Sequence, residues 1–444
     1  MKNKKSDKIL IPAIGPWLDK GQSAMLISMI NALMNEFHNP EFVIVASSFL
    51  MDEIDKVQYS KYDVEVLPGI FFEYHLFLLK ISSIKVKLFR ILLAFLSLSS
   101  LIILNTLWLI IYKYLHIDAK FLLLNNKDIV NEYKEADYII LCGGQNIIHT
   151  VHLPIEILYE MFFGIMLNKP IMLYAQSIGP FNHKYGLIFI KWILNRVNLI
   201  TTREETSKKL LENMRISSPV YLTADAAFIL PSISNEDAKS ILKKDTNLPE
   251  NKIWVGITAI PWNFPSEKDI ARKKELNENY VNVLSKISDY IIEKFDANVV
   301  FFPQVIVPIV KDDRIVSKKI FKRIKNKDRV KVLTEDYTPE ELKGMYGNMA
   351  FLIGTRFHSC ILSLSMNVPT IAIEYDGHKA FGIMKLIELD KYVLKIETLN
   401  LEELKFKVNE LSSERNNLDK KIKKNIKIMQ NESKRNVLLA KEYL

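Results

Sequence analysis

Cysteine is almost absent from this 444-residue chain, which has only Cys142 and Cys360. Two thiols cannot build a disulfide framework or a thiolate-rich metal site, and they suit a reducing cytoplasm. Also missing are the GxGxxG dinucleotide fingerprint, the GxxxxGK[ST] phosphate loop and the GxSxG nucleophile elbow. Without them the sequence carries no mark of those three chemistries. No repeat of solenoid period runs through it. His149 and His152 stand three apart with Glu156 near, but no carboxylate or thiolate cluster completes a set, so no metal is expected. The basic stretch "DKKIKKNIKIMQ" (419–430) lacks interleaved aromatics. It reads as a solvated helix face, and nucleic acid is not an expected partner. The apolar part of "MKNKKSDKILIPAIG" is short and leads through Pro12 into a polar loop, which predicts a first strand rather than a signal peptide.

What is present describes a folded enzyme-sized protein. Hydrophobic residues make up 49% and charged residues 25%, too apolar a balance for a disordered chain. The net charge of +9 suits anionic substrates, a membrane surface or nucleic acid alike, so it selects no partner by itself. The length predicts two domains of about 200 residues. Short apolar runs such as "KILIPAIG", "EFVIVASS", "ADYIILCGG" and "PIMLYAQSIGPF" alternate with amphipathic ones. The alternation restarts at "WVGITAI" and continues through "ANVVFFPQ", "MAFLIGT" and "PTIAIEY". Strands alternating with helices indicate α/β layers with parallel sheets covered on both faces. A polar, Pro-bearing stretch at 231–249 separates two similar halves. The expected organisation is an N-terminal domain over 1–230, a second over 250–400 and C-terminal helices over 401–444.

One segment breaks the rhythm. Residues 91–112, "ILLAFLSLSSLIILNTLWLIIY", carry no charge and are flanked by Lys85, Lys87, Arg90 and Lys113. The run has the length of a membrane span. Strands on either side of it belong to one sheet, however, so both ends of the insertion at about 69–117 must emerge on the same side. A helical hairpin dipping into one leaflet, with basic flanks at anionic headgroups, satisfies that condition. A long buried helix or a subunit interface satisfies it too, and hydropathy does not separate them.

Ligands of parallel α/β sheets bind beyond the carboxyl ends of the strands. The loops there gather Gly, Gln, Ser, Thr, Arg and His: "GPWLDKGQSAM", "CGGQNII", "AQSIGPF", "TTREETS", "TADAAF", "FFPQ", "GTRFHS" and "EYDGHKAFG". Turn chemistry and helix capping account for most of them singly, and Arg203 could simply pair with Glu204 or Glu205. Arg356 and His358 are different. An Arg and a His placed directly after a buried strand are costly unless they meet a ligand or a partner. The helix expected to begin beside His358 favours a bound anion.

Together these loops resemble the polysaccharide pyruvyl transferase family, above all through "LIGTRFHSCILSLSMNVPTIAIEYDGHKAFGIM". That resemblance implies a GT-B-like fold, two Rossmann-like domains facing across a cleft, here with an apolar helical insertion in the first domain. It implies transfer of the enolpyruvyl unit of phosphoenolpyruvate to a sugar of a cell-surface polysaccharide, or its lipid-linked precursor, as a ketal. Phosphoenolpyruvate would be the donor substrate, with no cofactor and no metal. Arg356 and His358 fall in the family's Arg-x-His motif, as the catalytic pair, and Arg203 matches its first-domain arginine. Guanidinium forks suit the carboxylate and phosphate of the donor, and a His can deliver and remove the protons that ketal formation requires. Thr355 and Ser359 flank the motif, and His378 and Lys379 would add phosphate contacts. Gln145, Asn146, Gln176 and Ser177 would suit a polyhydroxyl acceptor, and Gly143 and Gly144 count among the substrate-binding residues. Gln22 stands where an acidic residue is common in the family. The insertion fits an acceptor on a polyprenyl lipid, with the enzyme cytoplasmic and peripheral on the inner face of the membrane. The rival readings are a GT-B glycosyltransferase using a nucleotide sugar and a catalytically silent polysaccharide-assembly protein.

Overall fold

A computed structural model describes residues 6–46, 53–123, 126–149, 153–182, 184–307, 311–375 and 379–444. The chain divides into two compact units. The first comprises Met1–Trp17, Met29–Thr223 and Lys434–Leu444; the second comprises Leu18–Ser28 and Ala224–Ser433.

In chain order the first unit's strands and helices start with β1 (Lys8–Ile14), α1 (Lys20–Glu36, whose turns up to Ser28 belong to the second unit), β2 (Glu41–Ala46), α2 (Glu53–Ser60) and β3 (Val64–Pro68). The insertion follows as α3 (Phe72–Ile81) and α4 (Lys87–Ile110), and then come α5 (Lys127–Glu135) and β4 (Tyr138–Leu141). The rest is β5 (Gly144–His149), α6 (Ile155–Met166), β6 (Ile171–Phe181), α7 (Leu187–Leu194), β7 (Leu199–Thr202), α8 (Glu205–Asn213) and β8 (Val220–Leu222). The sheet order is β3-β2-β1-β4-β6-β7-β8, with β5 added alongside β6, and every pairing is parallel. Strand interiors such as Ile9–Ile11, Ile139–Leu141 and Ile171–Leu173 are buried on both faces. Continuous apolar strands are what a covered parallel sheet requires.

The second unit opens with α9 (Asn235–Thr246), within the stretch that reads as a linker, and continues with β9 (Trp254–Thr258), α10 (Ile270–Phe295) and β10 (Asn298–Phe301). A small antiparallel pair, β11 (Ile306–Val307) and β12 (Lys311–Asp312), leads into α11 (Asp313–Arg323) and β13 (Val330–Val332). After these come α12 (Pro339–Tyr346), β14 (Phe351–Gly354), α13 (Phe357–Ser365), β15 (Thr370–Glu374), α14 (Lys379–Leu386) and β16 (Val393–Lys395). Helices α15 (Leu401–Ser413) and α16 (Arg415–Tyr443) end the chain. The sheet order β13-β10-β9-β14-β15-β16 is that of a dinucleotide-binding fold, with the direction of winding reversing between β9 and β14. Local signals agree with the elements. Thr338 and Glu341 form a capping box at α12, which has Pro339 at its start.

One sequence expectation changes in detail. "GQNII" and "QSIGPF" read as loops, yet they form β5 and the extended end of β6, paired at Gly144–Gln176 and Ile147–Ile178. The register shifts along this pair let polar residues sit in a strand that an alternation test passes over. The uncharged run 91–112 lies, as the expected helical insertion requires, within one helix, Lys87–Leu115, long and apolar enough to cross a membrane and packed against α3. Only its later turns enter the first unit's core, through Leu101, Asn105, Trp108 and Leu109.

Candidate active site

In the second unit the chain leaves β14 at Gly354 and starts α13 at Phe357, beside the reversal of the sheet order. Thr258, at the end of the neighbouring β9, fixes this turn. Its carbonyl and hydroxyl accept from the Thr355 amide at 3.1 Å, and the hydroxyl also accepts from the Arg356 amide at 3.2 Å. The same hydroxyl lies 2.8 Å from Ser359 Oγ, which donates to the Arg356 carbonyl. Thr355 Oγ1 meets the Tyr280 hydroxyl at 2.8 Å. Thr355 and Ser359 are therefore buried and spend their hydroxyls shaping the loop.

Arg356 caps α13 and turns its guanidinium onto the buried Asp313, the first residue of α11. Nε lies 3.2 and 3.0 Å from the two carboxylate oxygens, and Nη2 lies 2.7 Å from Oδ1. The amides of Gln304 and Val305 donate to the same carboxylate at 3.1 and 2.9 Å. Burial pushes the Asp313 carboxyl up while Arg356 and the amides pull it down. Burial also works against charge on Arg356, but Asp313 outweighs it and raises the guanidinium above its ordinary value. At Asp313 burial outweighs Arg356 and the amides and leaves the carboxyl above its ordinary value, although four N–H groups converge on it. The Nε–Nη2 edge of Arg356 is thus committed to Asp313, and the Nη1 side is the part that can meet an anion.

His358 lies two residues further on, in the first turn of α13. Its Nε2 is 3.8 Å from Oδ2 of the buried Asp225 and 3.3 Å from Met25 Sδ. The ring rests against Gly21 in the opening turn of α1, where an added Cβ would come within 2.8 Å of the imidazole Cγ. Glycine is required there because the ring occupies the space of a side chain. Next to Gly21, the buried Lys20 ion-pairs with Asp336, and its amide donates to the Gln304 carbonyl at 3.0 Å. Lys379 begins α14 with its ammonium 5.5 Å from the Tyr375 ring centre. His378 lies outside the described residues.

The first unit gathers a second polar group at its strand ends. Arg203, at the end of β7, is buried and donates from Nε to Ser177 Oγ at 2.8 Å. Its amide donates to the Gln176 carbonyl at 3.2 Å. Glu204 caps α8 through the Ser207 amide. Gln176 donates to the carbonyls of Leu141 and Cys142, while its buried Oε1 has no partner. Gly144, Gln145 and Asn146 lie on β5 next to it, following the buried Gly143, with Gln145 Nε2 3.3 Å from the Gly179 carbonyl. Among the described residues no cluster of three or more His, Cys, Asp or Glu is placed to hold a metal ion. Glu156 pairs instead with His75 at 3.1 Å, and His152 lies outside the described residues.

Asp313, Asp225 and Gly21 are the residues that sequence reasoning missed. Asp225 sits in the "TADAAF" motif, and Gly21 in the first-strand loop, so both loops were visible while their partners were not.

Two Rossmann-like α/β units, the first bearing an apolar helical insertion, define a fold of the GT-B-like class. Solved structures agree. S. aureus MnaA in its co-structure with UDP aligns with a TM-score of 0.59 at 14% identity, covering 98% of this chain and 96% of that one. UDP-GlcNAc 2-epimerase from Neisseria meningitidis bound to UDP-GlcNAc aligns at 0.56 and 11%, covering 98% and 99%. The chain belongs to the polysaccharide pyruvyl transferase family, whose sequence model matches residues 21–377. It is also 23% identical over 282 residues to the amylovoran biosynthesis protein AmsJ of Erwinia amylovora. That match spans 63% of this chain and 66% of the relative, just under two thirds of its length.

Proposed function

We propose that the chain transfers the enolpyruvyl unit of phosphoenolpyruvate to a saccharide of a cell-surface polysaccharide or its lipid-linked precursor, closing a ketal across two hydroxyls. The reaction would run in the cytoplasm, at the inner face of the membrane. One observation carries the reading: a buried, carboxylate-held Arg356 and a partly exposed His358 share one loop at the reversal of the second unit's sheet. Membership of the family supports the reaction class.

In this reading the Nη1 side of Arg356 meets the donor's phosphate or carboxylate as a cation already fixed in place, so little is lost in ordering it. The first acceptor hydroxyl adds to the central carbon of the enol and gives up its proton, while a proton is delivered to the methylene carbon. Phosphate then leaves, and the second hydroxyl closes the ketal as its own proton is removed. His358 supplies and takes up these protons, and Asp225 faces the imidazolium that forms. Arg203, oriented by Ser177, offers a second guanidinium in the first unit. Gln145 and Asn146 offer amides suited to sugar hydroxyls, whereas the fully buried Gln176 spends its amide hydrogens on the Leu141 and Cys142 carbonyls. Lys379 offers a further ammonium for phosphate. No resident cofactor is invoked.

The test is thermal unfolding of the purified chain with phosphoenolpyruvate and, separately, with nucleoside diphosphate sugars. Free ligand at 100 times its Kd stabilises by about 2.7 kcal/mol. A shift with phosphoenolpyruvate that disappears in Arg356→Ala is the expected result. A shift only with a nucleotide sugar would replace pyruvyl transfer by glycosyl transfer. A His358→Ala chain that leaves the cellular product unchanged would favour the silent assembly role.

A further inference from the structure

The N-terminal half of α4 has no buried residue, and the helix carries its apolar side chains outward along its whole length. At about 100° per residue, Phe89, Leu92, Leu96, Ile103, Leu107 and Ile110 fall within an arc of about 60°. All six are exposed, from 43% for Leu107 to 62% for Ile103. The buried Leu101, Asn105 and Trp108 occupy the opposite side. The stripe is therefore about 32 Å long and continuous, far more than the scattered apolar residues of an ordinary surface.

Charge says what covers it. From Tyr74 to Ile117 the chain has no Asp or Glu, while Lys80, Lys85, Lys87, Arg90 and Lys113 give it five cations. Lys87 and Arg90 project from the side of the helix away from the stripe, and Lys113 follows its far end. An apolar face with cations on the opposite side of its helix and beyond its two ends is complementary to an anionic bilayer surface. It is poorly complementary to a second copy of itself, which would bring like charges together.

We infer that α4 lies in the plane of an anionic phospholipid bilayer, its stripe among the acyl chains and its basic residues at the headgroups. Insertion by the tip is the poorer geometry. The ten residues of α3 span only about 15 Å, so a tip-first hairpin would put Lys80, Lys85, Lys87 and Arg90 deepest. The inference deepens the proposed location at the membrane face, and it is read without donor or acceptor, so its failure leaves pyruvyl transfer untouched.

The experiment is flotation of the full chain with phosphatidylcholine vesicles, with and without phosphatidylglycerol. Binding is expected only with phosphatidylglycerol, and it should fall as salt rises. The triple change Lys85→Glu, Lys87→Glu, Arg90→Glu should weaken it on the order of a hundredfold. Ile103→Asn with Leu107→Asn, far from the hairpin tip, should weaken it as much as Leu92→Asn with Leu96→Asn. Circular dichroism and the melting temperature establish that each variant is folded. Equal binding to both vesicle types, or loss confined to the tip variants, would overturn the in-plane anionic contact. So would a soluble dimer without vesicle affinity that the stripe variants separate.

Discussion

Replacing Asp313 by Asn should destabilise the second unit by about 3–5 kcal/mol, the range for a buried ion pair broken from one side. The upper part of that range is expected here. Asp313 is fully buried and the Arg356 side chain is 13% exposed, so water repairs little of the loss. The amide would also turn a donor toward either the guanidinium or the Gln304 and Val305 amides, all of them donors. Arg356→Met should cost less, because the stranded carboxyl can take up a proton. Burial raises the Asp313 pKa above the 3.8 of an exposed carboxyl, and removing Arg356 raises it further. The penalty is then absent below the unfolded pKa and grows as pH rises toward the folded one. The Met variant's deficit should therefore shrink on acidification toward pH 4, whereas that of the Asn variant should not. The assay is calorimetric unfolding of the single variants and the double variant from pH 4 to 7.5. Unfolding of the whole chain is followed, and the variants are compared at each pH. The double variant should recover about 2–3 kcal/mol of the summed loss. Strict additivity within about 0.5 kcal/mol would refute the pair as the support of Arg356.

Other consequences follow from single contacts. Gly21→Ala would press a methyl group against the His358 ring and, by shifting it about 1 Å, should lower turnover on the order of a hundredfold with little change in donor KM. Steady-state kinetics and an unchanged fold check it. Ser177→Ala removes the acceptor for Arg203 Nε and should raise the donor KM more than it lowers kcat, by roughly tenfold for a charged hydrogen bond of about 1.5 kcal/mol. Burial, with Glu156 adding to it, pushes the Glu160 carboxyl up to about 8, and its Oε2 has no partner. A raised carboxyl pKa means stability falls as pH rises from about 4.5 to 8, so Glu160→Gln should gain about 3 kcal/mol at pH 7 and nothing near pH 4. Denaturant midpoints at the two pH values measure the difference.

The Arg-x-His loop was legible in the sequence because an apolar run ends there in residues that no turn requires. The strand–helix alternation was legible for the same reason that the sheets are buried: continuous apolar strands leave a strong signal. The supports of the site were not. Asp313 lies in "VKDDR", where Asp312 caps α11 while Asp313 turns inward. Its partner is 43 residues away, a distance that no local pattern encodes. Asp225 likewise doubles as the cap of a short turn through the Ala227 amide. That ordinary reading concealed its position beside His358. Hydropathy gave the length of α4 but not which turns are buried, since Leu101 and Ile103 look alike until their neighbours are known.

The environment of His358 is assembled from chain segments that domain boundaries drawn along the sequence would separate. Gly21 and Met25 come from the Leu18–Ser28 segment, Asp225 from the start of the next, and His358 from the helix after β14, yet all belong to one compact unit. Such a site cannot be carried by a contiguous C-terminal half. The ring is positioned by a glycine more than 300 residues before it, and the carboxylate facing it precedes the first strand of its own sheet. This organisation explains why the first-strand loop and the "ADAAF" motif accompany the Arg-x-His block in the same chain. Their residues hold the imidazole in place, and a change in either loop should be felt at His358 before it is felt in the stability of the sheets.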